Sequence, residues 1–149
     1  RGKTMRRYLV VANQTLAAGQ LERKVRECLA AGPCAFHIVV PATPPREHLT
    51  WVEGDARAIA RERLDRALAW FRALGAEVDG TVGDARPLLA IGDALREEPF
   101  DEIILSTLPA GASRWLRMDL PSRVEAAFGM PVSHVVSRPE RSAVTGSSG

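Results

Sequence analysis

Short apolar runs alternate with longer amphipathic stretches from about residue 6 to residue 137, and no other feature limits the folds open to this chain so strongly. "RRYLVVA" (6–12) and "CAFHIVVPA" (34–42) are continuous and rich in β-branched residues, the pattern of strands buried on both faces. Between them, "AGQLERKVRECLAAG" places Leu21, Val25, Cys28 and Leu29 at helical spacing, with Gly32 as a stop and Pro33 beyond it. "TPPREHLTW" is an irregular connection, because its prolines lack ladder donors. A long helix follows from about Glu53 to Leu74, its inner face formed by Ala60, Leu64, Ala67, Leu68, Phe71 and Leu74. "AEVDGTV" (76–82) alternates polar and apolar, as an exposed edge strand does. "RPLLAIGDALREE" (86–98) is a helix with Pro87 in its first turn and Asp84 placed to cap it. "DEIILST" (101–107), "PSRVEAAFG" (121–129) and "MPVSHVVS" (130–137) complete the series as strand, helix and strand.

Strands separated by helices require crossover connections. They predict an α/β three-layer sandwich: a five-stranded parallel sheet with helices on both faces, in the order 3-2-1-4-5. Leu9, Val11, Phe36, Ile38, Val39, Ile103, Ile104 and Val132 are expected to be buried. The domain is expected to run over 5–138, with tails at 1–4 and 139–149 that carry too few apolar residues to be held. The leading "RGKT" contains Gly-Lys-Thr, but no strand and no upstream glycine precede it, so it is not a phosphate loop.

Composition narrows the function classes. With 46% apolar and 26% charged residues, the chain is globular rather than disordered. A net charge of +2 gives no case for nucleic-acid binding. No apolar run approaches the roughly 20 residues of a membrane span, and no signal-peptide pattern is seen, so the expectation is a cytoplasmic protein without membrane attachment. Cys28 and Cys34 are read as buried free thiols, and His37, His48 and His134 have no spacing that suggests zinc. His37 and His134 are read as hydrogen-bonded structural residues in strands. No metal is expected.

"VGDARPLLAIGDALREEPFDEIILST" resembles the Gly-Asp-Pro, helix, Ala-Asp-Leu-Ile-Val-Met-Gly sequence of the universal stress protein superfamily, with Gly83, Asp84 and Asp101 in register. "FGMPVSHVV" is similar to that family's closing strand, and "RRYLVVA" to its first. Where the family has Asp-Gly-Ser after strand 1, this chain has Asn13-Gln14-Thr15. "LVVA", "VPATPP" and "LSTLP…SRWLR.D" also resemble a narrower, divergent bacterial subgroup, which implies no particular activity. The resemblance implies the Rossmann-like, adenine-nucleotide alpha-hydrolase-like fold, and a homodimer paired through residues 131–137. The fifth strand is too apolar for an uncovered edge, which points the same way.

The resemblance also makes "STLPAGASRWLRMD" (106–119) informative. ATP-binding members carry Gly-x2-Gly-x9-Gly-Ser/Thr there, and the nearest register puts Ser106, Pro109 and Asp119 at the three glycines. Proline has no amide proton to donate, and aspartate repels a phosphate. The acidic residue that helps hold the nucleoside is Asn13 here. The cofactor is therefore left open: ATP or another adenine nucleotide is not favoured, but neither is it excluded. Two readings of the loop stay open. In one, Ser113, Arg114 and Arg117 supply side-chain donors to an anion or nucleotide, facing Asn13 and Thr15 after strand 1, with Val40 and Ser106 at neighbouring strand ends. In the other, Trp115 and Leu116 fill an apolar gap and the arginines pair with carboxylates. Asp119 is expected to serve the start of the next helix, as an N-cap or dipole partner.

No Ser-His-Asp set, acidic pair or His-x-Gly-His motif converges on the strand ends, so no catalytic residue is assigned. The stretch His48–Asp55 is read as a surface connection rather than a hydrolase lid. The expected role is non-enzymatic sensing or docking with weak or no ATP binding. The alternatives are a phosphate binder with a side-chain-based loop and a purely structural dimerisation module.

Overall fold

The computed structural model describes residues 5–12, 19–42, 53–107 and 114–136. Within them, β1 (Arg6–Val11), α1 (Gly19–Ala31), β2 (Cys34–Pro41), α2 (Glu53–Ala73), β3 (Glu77–Gly83), α3 (Pro87–Glu97), β4 (Glu102–Thr107), α4 (Arg114–Arg117), α5 (Leu120–Phe128) and β5 (Val132–Val136) follow in order. All strand pairs are parallel, and the sheet order is β3-β2-β1-β4-β5. Both features agree with the expectation from the alternating pattern.

A strand's side chains alternate between faces, and a sheet covered on both sides therefore builds two cores. Tyr8, Val10, Phe36, Ile38, Val40 and Ile104 face α1 and α2, meeting Leu21, Val25, Leu64 and Phe71. Leu9, Val11, Val39, Ile103 and Leu105 face the other way, against Ile91 of α3, Trp115 of α4, and Leu120 and Val124 of α5. Fully burying each such aliphatic side chain contributes about 1.5–3 kcal/mol, which is why β1 and β4, buried on both faces, anchor the domain. Of the predicted core, Val132 alone departs. It is half-buried, because β5 is an edge strand with one neighbour.

The other edge, β3, carries exposed Glu77, Asp79 and Thr81 alternating with half-buried residues, as predicted. Its last residue sets the distance to α3. A Cβ on Gly83 would stand 2.8 Å from the Ala90 Cβ and 3.1 Å from Val39 Cγ1, so the missing side chain lets the helix sit close to the sheet.

Two helix starts differ from the sequence reading. Asp84 does not cap α3. The N-cap is Arg86, which makes no side-chain cap bond, and Asp84 lies two residues upstream. Its carboxylate accepts from the Arg86 amide at 2.8 Å and from the Arg86 guanidinium at 3.1 Å, a local turn that leads the chain to Pro87. The guanidinium, and then the amide, hold the Asp84 carboxyl below its ordinary range. Asp119 does occupy the N-cap of α5, but with no side-chain cap bond. Its carbonyl accepts from the Arg123 amide instead. The segment expected to be only a loop also contains α4, whose four residues are too few to show a periodicity.

Candidate functional site

The order of the strands reverses at β1. It pairs with β2 on one side and β4 on the other, with Val11 opposite both Val39 and Leu105. From that point the chain leaves β1 toward α1 on one face and leaves β4 toward α4 and α5 on the other. In open α/β sheets such a reversal places the usual ligand crevice over the carboxyl ends of the strands.

Three small or apolar side chains form its floor on the α1–α2 face. Ala12, Val40 and Ser106 are 0%, 0% and 1% exposed. The Ala12 amide donates to the Val39 carbonyl at 3.3 Å, keeping the end of β1 in register. The crevice edge is tied across the sheet, since Gln20 in the first turn of α1 accepts from the Val136 amide at 3.0 Å.

On the opposite face, Thr107 ends β4 and is 2% exposed. Its Oγ1 shares a 2.7 Å hydrogen bond with His134 Nε2 on β5. A buried hydroxyl needs such a partner. Burial pushes the His134 imidazole below its ordinary range, which favours the neutral ring. Trp115 packs beneath α4 with 8% exposure, in contact with the α3–α5 core. Anchoring by this ring fixes where the chain re-enters after the loop, as the gap-filling reading of Trp115 expects.

Asp119 carries a second signal. Its φ and ψ are 56° and 46°, and it is the one non-glycine residue with positive φ among the described residues. This left-handed conformation is natural to glycine and tolerated by aspartate. Asp119 is also the residue that falls on the third glycine of the Gly-x2-Gly-x9-Gly pattern. The backbone therefore keeps a glycine-like turn while the side chain adds a carboxylate.

Of the residues singled out in the sequence, Val40 and Ser106 lie together at the strand ends. Arg114 and Arg117 lie in α4, with only their backbone placement described. Asn13, Thr15 and Ser113 lie outside the described residues, as do His48 and the loop glycine Gly111. An open groove of about 520 Å³, lined by Arg57, Ala58, Arg61, Thr81 and Val82, sits at the β3 edge, two strands from the crevice. Its Arg57 already donates to the Val82 carbonyl at 3.4 Å, and it is no continuation of the switch point.

Other polar residues serve the scaffold. Cys28 and Cys34 are buried free thiols, as expected, and burial raises both pKa values. Glu102, with 14% side-chain exposure, gathers Arg6 at 3.5 Å, Lys24 at 3.1 Å and the Ser133 hydroxyl, joining α1, β1, β4 and β5. His37 donates from Nδ1 to Asp79 at 2.8 Å. The Thr107–His134 and His37–Asp79 partners were not legible in the sequence, being 27 and 42 residues apart with no motif linking them.

The fold is a doubly wound α/β domain whose strand order reverses between β1 and β4. Solved structures carry the comparison further. The chain resembles the universal stress protein from Archaeoglobus fulgidus with a TM-score of 0.55 and 18% identity, covering 87% of this chain and 93% of that one. It resembles the universal stress protein from the same organism in complex with dAMP with a TM-score of 0.57 and 17% identity, covering 89% and 98%. No protein-family model and no curated protein matches the chain. The fold is that of the universal stress proteins. No helix among the described residues is long and apolar enough to cross a membrane.

Proposed function

We propose that the domain is a non-enzymatic sensing module that takes an adenine mononucleotide at the β1/β4 switch point and binds ATP poorly. The observation that carries this reading is the strand reversal, which brings the buried ends Ala12, Val40 and Ser106 side by side. The solved complex of a protein of the same fold with dAMP supports the choice of ligand class. The loop chemistry supports the limit on phosphates. Pro109 contributes no amide proton, and Asp119 sets a carboxylate at the left-handed turn where a glycine would let backbone approach a phosphate. A single phosphate needs fewer donors, and Ser113, Arg114, Arg117, Asn13 and Thr15 are the side chains proposed to supply them. A triphosphate lacks its cradle. Long arginines lose rotamer freedom on binding, so ATP affinity is expected near millimolar, where only about 4 kcal/mol of binding free energy is available.

Thermal shift across AMP, ADP, ATP and inorganic phosphate tests the reading, since a ligand that binds only the native state raises stability by mass action. Stabilisation by AMP equal to or greater than that by ATP is expected. Stabilisation by ATP at micromolar concentration, unaffected by Arg114→Ala and Arg117→Ala, contradicts it.

The module is also proposed to work as a homodimer through β5 in the cytoplasm. Pro131 points its carbonyl at Ile103, so the even-numbered residues of β5 turn their amides outward. Gln20 already occupies the Val136 amide. Antiparallel pairing therefore centres on 132–134, with His134 near the two-fold axis. Light scattering at tens of micromolar is expected to report a dimer, and a monomer alone would refute this pairing.

A further inference from the structure

A second cluster lies midway along β2 and β3, beside the C-terminal end of α3 and away from the carboxyl ends of the strands. His37 of β2, Asp79 of β3 and Glu98, just past the end of α3, each present a donor atom, and these atoms lie within 4.8 Å of one another. They come from three separate segments, which the β2–β3 pairing and the close seat of α3 bring together. His37 is 11% exposed at its side chain, Asp79 70% and Glu98 39%, so a half-buried imidazole backs two carboxylates that open to solvent.

We propose that His37, Asp79 and Glu98 form a binding site for a divalent transition-metal ion of the zinc class. Ligand type argues for that class: imidazole suits zinc and its neighbours, whereas magnesium and calcium take oxygen donors. Metal–nitrogen and metal–oxygen bonds of about 2.0–2.2 Å put the donors of a tetrahedral ion about 3.4 Å apart. A spread of at most 4.8 Å is thus closed by shifts of about 1 Å in two exposed carboxylates.

The hydrogen bonds already present suit the exchange. His37 Nδ1 and Asp79 Oδ1 are 2.8 Å apart and share one proton. The ion takes that proton's place, and the ring proton moves to Nε2. There it faces Thr81 Oγ1 at 3.4 Å, an acceptor that holds the ring as a metal-bound histidine is usually held. Arg7 is the built-in competitor. Its guanidinium pairs with Glu98 Oε1, and it is anchored by the Pro99 carbonyl and by the Phe100 ring at 5.4 Å. A carboxylate has two oxygens, so Glu98 keeps one for the ion, at an electrostatic cost set by Arg7.

Calorimetric titration of the full chain with zinc chloride in a non-chelating buffer tests the site. Visible spectroscopy with cobalt(II) reports the coordination. One saturable equivalent in the micromolar range is expected, with a d–d spectrum of nitrogen and oxygen donors. His37→Gln and Asp79→Asn should each weaken binding at least tenfold, and Asp79→Asn changes an exposed residue the fold does not depend on. Arg7→Met should tighten binding several-fold, a gain that a merely structural cluster would not give. His48→Gln and His134→Gln should leave it unchanged. Absence of saturable binding at 100 µM zinc overturns the proposal, using roughly the weak end of specific sites as the limit. Binding that survives both His37→Gln and Asp79→Asn, or that follows His48 or His134, overturns it as well.

Discussion

Replacing Gly83 by alanine tests whether the match to the Gly-Asp motif is a matter of packing. The new Cβ would meet the Ala90 Cβ at 2.8 Å and Val39 Cγ1 at 3.1 Å, whereas ordinary contacts begin at 3.4 Å. Neither neighbour is the far end of a flexible chain. Ala90 is held on α3 and Val39 lies in the middle of the sheet, so the helix must back away by about 0.6 Å or more. Overpacking of this kind costs about 1–3 kcal/mol. Alanine also restricts the unfolded chain, which returns about 0.4–1 kcal/mol. The net loss is about 1–2 kcal/mol, a fall in Tm of about 2–8 °C for a domain of this size. A double-mutant cycle identifies the cause. Ala90→Gly removes the clashing atom and leaves the Cα at 3.6 Å, an ordinary distance. Alone it costs about 1 kcal/mol of helix propensity. With Gly83→Ala it should recover at least about 0.5 kcal/mol of favourable coupling. Urea unfolding of the four proteins measures this. A Gly83→Ala protein as stable as the parent, or a cycle with no coupling, refutes the packing account of this glycine.

Asp119→Gly should stabilise the fold by roughly 0.5–1 kcal/mol, because the left-handed turn is free for glycine, and it should raise the thermal shift given by ATP. Loss of ATP binding relative to the parent would contradict the assigned register of the loop. Trp115→Ala should cost about 3 kcal/mol in urea unfolding, the range for a buried large aromatic, and a loss under 1 kcal/mol would mean that the ring does not anchor α4. Burial lowers the His134 pKa in the folded state, so the unfolded chain binds the proton more readily. This contribution to stability is fully present above the unfolded value of about 6.5 and is lost as pH falls below it. His134→Gln should therefore flatten the decline in Tm between pH 7 and pH 5. An unchanged slope would place the cause elsewhere.

The fold was legible because its signal is repeated in every element. Each strand of the two central pairs is a continuous apolar run, each long helix shows one stripe, and edge β3 alternates visibly. The reversal at β1 then follows from crossover connections and a resemblance in the motifs. Single-residue roles were less legible where several geometries satisfy the same chemistry. Asp84 stands where a cap could stand, yet Pro87 fixes the first turn and moves the N-cap to Arg86. Val132 reads as core from its side chain, but its exposure depends on β5 having no second neighbour. The His37, Asp79 and Glu98 cluster leaves no mark in sequence spacing, because strand register and a helix end assemble it. At the crevice, Val40 and Ser106 were placed by topology. The roles of Arg114 and Arg117 depend on side-chain geometry, which composition does not encode.

The central claim is that the strand reversal holds a mononucleotide. Titration of isotopically labelled protein with AMP, followed by amide NMR, tests it most directly. The account predicts saturable shifts at Ala12, Val40, Ser106 and Thr107 and across α4, with ATP giving no tighter binding than AMP. Shifts confined to the β3 edge around Arg57, Arg61 and Thr81, or no saturable shift at millimolar AMP, would contradict it.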